Sequence, residues 1–171
     1  PHPRHAAERQ TQQAGLLESL NIPYSGPGPM CLALCADRDA TKAAAATMGI
    51  AVARGVLIHS GDSPDVVARR CATLTYPVIA KPNRRDHRPQ TSSAPPALRL
   101  ADVRAHIEAL RAAKVSSILL EELLPGPKHS VILLGSGREQ VEVVLRHGSN
   151  GDIVSVCNTE RGQESLVSTL L

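Results

Sequence analysis

Across 171 residues there is no Phe and no Trp, and Tyr24 and Tyr76 are the only aromatic side chains. Any core must therefore be assembled from Leu, Ile, Val and Ala, and the stacking platforms on which single-stranded nucleic-acid binders rely are missing. The length suffices for one domain with a real core, or for two partial lobes. With 42% hydrophobic and 20% charged residues, the chain is composed like a globular protein and unlike a disordered tail. Its apolar stretches, such as those within Val52 to Ile58 (interrupted by Arg54) and Val131 to Leu134, are far too short to cross a bilayer. Nineteen basic residues against sixteen acidic ones give a net charge of +3, a balance that admits a small anionic ligand but does not argue for DNA or RNA. No charged-then-apolar leader precedes the first helix, and the opening Pro1 suggests a true start upstream.

Periodicity and punctuation divide the chain into short elements. Residues 8 to 20 read as a helix with Leu16, Leu17 and Leu20 on one face and Asn21 closing it. After the turn-rich Ile22 to Pro29, a short helix is expected over Met30 to Cys35. Asp37 then caps a helix that ends near Met48 at Gly49. A strand is predicted over Ala51 to His59, and a helix from Ser63-Pro64 to about Leu74. The strand Tyr76 to Lys81 should be broken by Pro82, and the glycine-free stretch Asn83 to Pro96 reads as a long mobile loop. A helix over Asp102 to Lys114 places Val103, Ile107 and Leu110 at core spacing, and a strand follows at Ser117 to Glu122. Beyond Leu124-Pro125-Gly126-Pro127, strands are expected at Ser130 to Leu134, Gln140 to Leu145 and Asp152 to Cys157, with a helix beginning in Glu164 to Leu171. The result is an α/β layered chain with a β-rich end.

Few side chains suggest chemistry by spacing alone. Cys31, Cys35, Cys71 and Cys157 lack the paired spacing of a zinc framework and read as buried free thiols of a reducing compartment. The seven histidines are scattered, so no metal site is assigned. Arg38 and Lys42, one turn apart, read as a solvated basic face in which Asp39 offsets Lys42. The run Arg84-Arg85-Asp86-His87-Arg88 reads as a solvated loop. Lys81 is more informative, because a lysine at the end of an apolar strand needs a carboxylate or phosphate to receive it. Glu121 and Glu122 end the apolar strand Ile118-Leu119-Leu120 in the same way, so neighbouring strands would pair Lys81 with one of them beside a cleft.

An ordered series of short motifs resembles the D-alanine–D-alanine ligases of the ATP-grasp superfamily. It runs through Gly15-Leu16-Leu17-Glu18, Ile22-Pro23-Tyr24-Ser25-Gly26, Asp37-Arg38 with Thr41-Lys42, Met48-Gly49-Ile50, Tyr76-Pro77-Val78-Ile79-Ala80-Lys81-Pro82 and Glu121-Glu122-Leu123-Leu124-Pro125-Gly126. The resemblance covers roughly residues 14 to 135 and implies a partial ATP-grasp fold: a mixed sheet lobe with helices, then an incomplete second β-rich lobe. It implies a remnant of the N-terminal substrate domain over 1–36, a central ATP-grasp subdomain over 37–124, and an incomplete C-terminal subdomain over 125–171. The family's activity is ATP-dependent formation of a D-Ala–D-Ala peptide bond through an acyl phosphate, for peptidoglycan precursors in the cytoplasm.

Site roles follow from the same resemblance. Arg38 would reach the nucleotide phosphates, Lys81 would contact phosphate and adenine, and Glu121 would face the adenine amino group and Lys81. Glu122 would offer its backbone carbonyl, and Leu124 its N–H, to the ring. Lys128 stands where the family carries a ribose-binding glutamate, and a lysine cannot accept the ribose hydroxyl protons. The family's glycine-rich phosphate loop corresponds to the glycine-free segment 83–96, in which only Ser92-Ser93 resembles it. The implied cofactors are ATP and Mg, with the Mg ligands expected in a C-terminal lobe outside this chain. Partners implied by the family resemblance are a nucleotide, D-alanine and, as a homodimer, a second copy of the chain. The chain alone should then bind nucleotide without catalysis. Two alternatives stand beside this reading: a non-catalytic ATP-grasp relic or binding module, and an ATP-grasp ligase for another carboxylate and amine.

Overall fold

The computed structural model describes residues 6–84, 94–136, 139–147, 153–160 and 163–167. The chain forms two compact units, Pro1–Leu123 and Leu124–Leu171. In the first, the order is α1 (Ala6–Ser19), α2 (Pro29–Ala36), α3 (Arg38–Thr47), β1 (Gly55–His59), α4 (Pro64–Cys71), β2 (Val78–Pro82), α5 (Leu100–Ala112) and β3 (Ser117–Glu122).

Local chemistry fixes the helix ends. The Asp37 side chain accepts from the Ala40 N–H and caps α3, and Gly49 follows the helix with φ +78°, a conformation that costs glycine little. Ser63 caps α4 through the Val66 N–H, with Pro64 in the first turn. Asn21 closes the end of α1 with φ 52°. Leu16 and Leu20, on the apolar face read from the sequence, are exposed, and Ala14 is buried.

The three strands form an antiparallel sheet in the order β1-β3-β2. Side chains alternate across it, so Val56, Ile58, Val78, Ala80, Ile118 and Leu120 share one face. That face packs on Val67, Cys71, Val103, Ile107 and Leu110 from α4 and α5. Each fully buried Ile, Leu or Val contributes about 1.5–3 kcal/mol of transfer free energy. The opposite face carries Gly55, Leu57, Ile79, Lys81, Leu119 and Glu121. Leu119 on that face is 0% exposed, so it too is covered.

The second unit is a four-stranded antiparallel meander, β4 (Lys128–Ser136), β5 (Glu139–His147), β6 (Ile153–Glu160) and β7 (Gln163–Val167). A helix was expected from Glu164; β7 stands there instead. It pairs with β6 from Glu160↔Gln163 to Val156↔Val167, and this ladder satisfies backbone groups that β6 would otherwise present at an open edge.

Three further differences have physical causes. β1 begins at Gly55 rather than Ala51, because its partner β3 ends at Glu122, opposite which only the Arg54 carbonyl is engaged. Pro82 closes β2 from within, opposite Ile118, which an edge strand tolerates because its outer side needs no donor. Asn83 lies in a bend just after β2, yet it is buried, at 3% exposure, and not part of a mobile loop. Of the rest of the expected loop, Arg84 forms an isolated bridge with Asp37, residues 94–96 are irregular as expected, and residues 85–93 lie outside the described residues.

Candidate functional site

The ends of β2 and β3 bring a cation and a carboxylate together, as strand adjacency predicts. In the register Lys81 lies opposite Leu119 and Glu121 opposite Ile79, so the two side chains sit diagonally on one face. Lys81 Nζ donates to Glu121 Oε2 at 2.8 Å. Glu122, one residue on, points to the other face, where its carboxylate accepts from the Thr75 N–H at 2.7 Å. Its own N–H donates to the Arg54 carbonyl. The choice left open between the two glutamates is thus decided by the pleat.

A second lysine completes the cluster. Lys42 of α3 donates to Glu121 Oε1 at 2.7 Å, so the carboxylate is held between two ammonium groups, one on each oxygen. The reading of Lys42 as a solvated cation offset by Asp39 is therefore corrected. Space for it comes from Gly55, which faces Glu121 across β1 and β3. A Cβ at Gly55 would lie 2.8 Å from Lys42 Nζ. Burial alone would raise the Glu121 carboxyl, but hydrogen bonds and charges from Lys42 and Lys81 outweigh it and hold the group below its ordinary range. The signal for Lys42 in the sequence is its place in the Thr41-Lys42 pair that follows Asp37-Arg38.

Asn83 fixes how α3 meets the sheet. Its Oδ1 accepts from the Asp39 N–H at 2.9 Å, and its Nδ2 donates to Asp37 Oδ1 at 3.0 Å. Its N–H donates to the Ser117 carbonyl, while its own carbonyl accepts from the Arg38 N–H. The first turn of α3 is thereby tied to the residue after β2. Arg38, the expected phosphate contact, donates from a guanidinium nitrogen to the Pro82 carbonyl at 3.0 Å, beside Lys81 in sequence. Among the side chains of Arg38, Lys42, Lys81 and Glu121, three are cationic and one anionic.

Arg38, Lys81, Glu121 and Glu122 all belong to the first unit. Leu124 opens the second unit, and Lys128 begins β4 opposite His147. Among the described residues, no group of three or more His, Cys, Asp or Glu side chains is placed to hold a metal ion, and no helix is long and apolar enough to cross a membrane. Cys71 is buried as expected. Cys31 and Cys35 are exposed on α2, contrary to expectation, because this short helix turns both toward solvent. Cys157 lies outside the residues whose side chains are described.

Among solved structures, the chain is similar to the D-alanine–D-alanine ligase of Coxiella burnetii, with a TM-score of 0.69 and 20% identity over 86% of this chain and 41% of that one. It is also similar to the D-alanine–D-alanine ligase of Bacillus anthracis complexed with ATP, with a TM-score of 0.64 and 16% identity over 91% and 61% of the two chains. Over the part that it spans, the chain has the α/β fold of the ATP-grasp ligases. In sequence it is 30% identical over 140 residues to a D-alanine–D-alanine ligase of Clostridium perfringens, which is 82% of this chain and 44% of that relative. The chain is a D-alanine–D-alanine ligase-like ATP-grasp protein. It spans less than half the length of that curated relative. No family model matches it.

Proposed function

We propose that the Lys81–Glu121 end of the sheet is the adenine and phosphate side of an ATP site, serving an ATP-dependent carboxylate–amine ligation of the D-Ala–D-Ala type. The observation that carries the reading is the 2.8 Å contact between Lys81 Nζ and Glu121 at the tips of β2 and β3, in a chain related to these ligases. Lys81 and Arg38 supply cations for phosphate, and the Glu121 carboxylate can accept from an adenine amino group. The backbone carbonyl of Glu122 would read the ring edge. Residues 1–36 correspond on this reading to the substrate domain of the family, 37–124 to the central subdomain, and 125–171 to the C-terminal subdomain.

Magnesium enters this proposal only with the nucleotide. The described residues do not gather a carboxylate set for it, so no phosphoryl-transfer step is assigned to them. D-Alanine as substrate, a homodimer, and work in the cytoplasm on peptidoglycan precursors complete the proposal.

Calorimetry with Mg-ATP tests it. The full chain should give a saturable heat that Lys81→Ala abolishes and Lys114→Ala, a change on an exposed residue away from the site, leaves intact. No binding by the unaltered chain at millimolar ATP would refute the nucleotide reading and leave a binding module of another kind.

A further inference from the structure

The two lysines on Glu121 are not equivalent. Lys42 is the more enclosed, with its side chain 19% exposed against 39% for Lys81, and the carboxylate between them is 12% exposed. Lys42 also stands on a fixed element. The hydroxyl of Thr41 beside it shares its one proton between the Leu34 and Asp37 carbonyls, and Asn83 ties the start of α3 to the end of β2. The Gly55 gap through which Lys42 reaches the carboxylate is bounded by the Leu120 carbonyl, which is backbone of the central strand. Lys81, by contrast, sits near the end of the edge strand and has the more open side chain.

The geometry points to Lys42 as a positioning residue: the standing counter-ion of Glu121, which frees Lys81 to exchange that carboxylate for an incoming polyphosphate. The inference rests on the nucleotide reading above and adds to it a division of labour between two lysines. Its physical basis is the cost of a stranded charge. A carboxylate as enclosed as Glu121 is poorly solvated, so removing its sole cation is expensive, whereas removing one of two is tolerable. With Lys42 in place, Lys81 can leave Glu121 Oε2 while Oε1 keeps its partner. Without Lys42, Lys81 becomes the only counter-ion and is pinned where it lies. Phosphate then has to compete with Glu121 for the same ammonium.

The test uses the full chain, with inorganic tripolyphosphate and ATP as probes, and follows the lysine Nζ and Glu121 carboxyl signals by NMR. Tripolyphosphate should move the Lys81 signal and leave that of Lys42 in place. Lys42→Met should weaken tripolyphosphate binding at least tenfold although Lys81 is untouched, and Lys42→Arg should restore most of it. A merely structural role would lower the unfolding midpoint without that selective loss and rescue. Because the signals of the unaltered chain decide the question by themselves, a poorly folded Lys42→Met does not leave it open. Lys42 shifting as far as Lys81, or Lys42→Met binding like the unaltered chain while ATP still binds, overturns this role alone. Failure of the unaltered chain to bind either probe overturns the nucleotide reading and this role with it.

Discussion

Replacing Gly55 by alanine puts a methyl group where β1 passes closest to β3. A Cβ there would lie 2.8 Å from the Leu120 carbonyl oxygen, 2.8 Å from Lys42 Nζ and 3.3 Å from Glu121 Cγ. Gly55 is outside the left-handed region, so the cost is contact and not torsion. The ammonium can swing away, but the carbonyl belongs to the middle strand of the sheet and cannot. Overpacking of this kind costs about 1–3 kcal/mol. Ordering the unfolded chain by replacing a glycine returns about 0.4–1 kcal/mol. The net expectation is a loss of about 0–2.6 kcal/mol, centred a little above ~1 kcal/mol, read as a lower urea midpoint at an unchanged slope in circular dichroism. The same variant should raise the Glu121 carboxyl titration, because the displaced Lys42 no longer holds Oε1. A midpoint equal to or above that of the unaltered chain, together with an unmoved Glu121 titration, would refute the packing argument.

Other consequences are equally direct. Asn83→Ala removes a buried side chain that both donates and accepts, leaving the Asp39 N–H without its partner. It should cost about 1–3 kcal/mol in thermal or urea unfolding, against near neutrality for a surface asparagine. Glu121 faces Lys42 from α3 and Lys81 from β2, with Gly55 of β1 bringing no charge. Its folded carboxyl lies below the ordinary value of 4.5, so the unfolded chain takes up the proton first. The stabilisation is therefore whole above about pH 4.5 and is lost as pH falls through the folded value, and Glu121→Gln should flatten that acid limb. Finally, a thiol reagent followed by peptide mass spectrometry should modify Cys31 and Cys35 in the folded chain and spare Cys71 until it unfolds.

Much of the first unit was legible because its signals are local. Asp37, Ser63-Pro64 and Gly49 mark helix ends by chemistry that acts within a turn, and the core spacing of Val103, Ile107 and Leu110 places α5 against the sheet. The strand Ser117–Glu122 was legible because its apolar run ends in charge. What sequence did not reveal depends on partners distant in the chain. Lys42 meets Glu121 across 79 positions, and only the sheet register and the gap at Gly55 make that contact possible. Asn83 read as loop because its polarity and the following basic run suggest solvent, whereas four hydrogen-bonding groups of the residue are engaged by Asp37, Arg38, Asp39 and Ser117. β7 was missed for a related reason: its ladder is set by β6, and five residues carry too little periodicity to distinguish strand from helix.

The nucleotide site itself is tested most directly by photoaffinity labelling with an azido-adenine ATP analogue, followed by peptide mapping. Label should fall in the peptides that carry Val78–Pro82 and Ser117–Glu122, disappear with excess ATP, and fail to form in Lys81→Ala. Label distributed elsewhere in the chain, or indifferent to competing ATP, would contradict a purine bound at the Lys81–Glu121 end of the sheet.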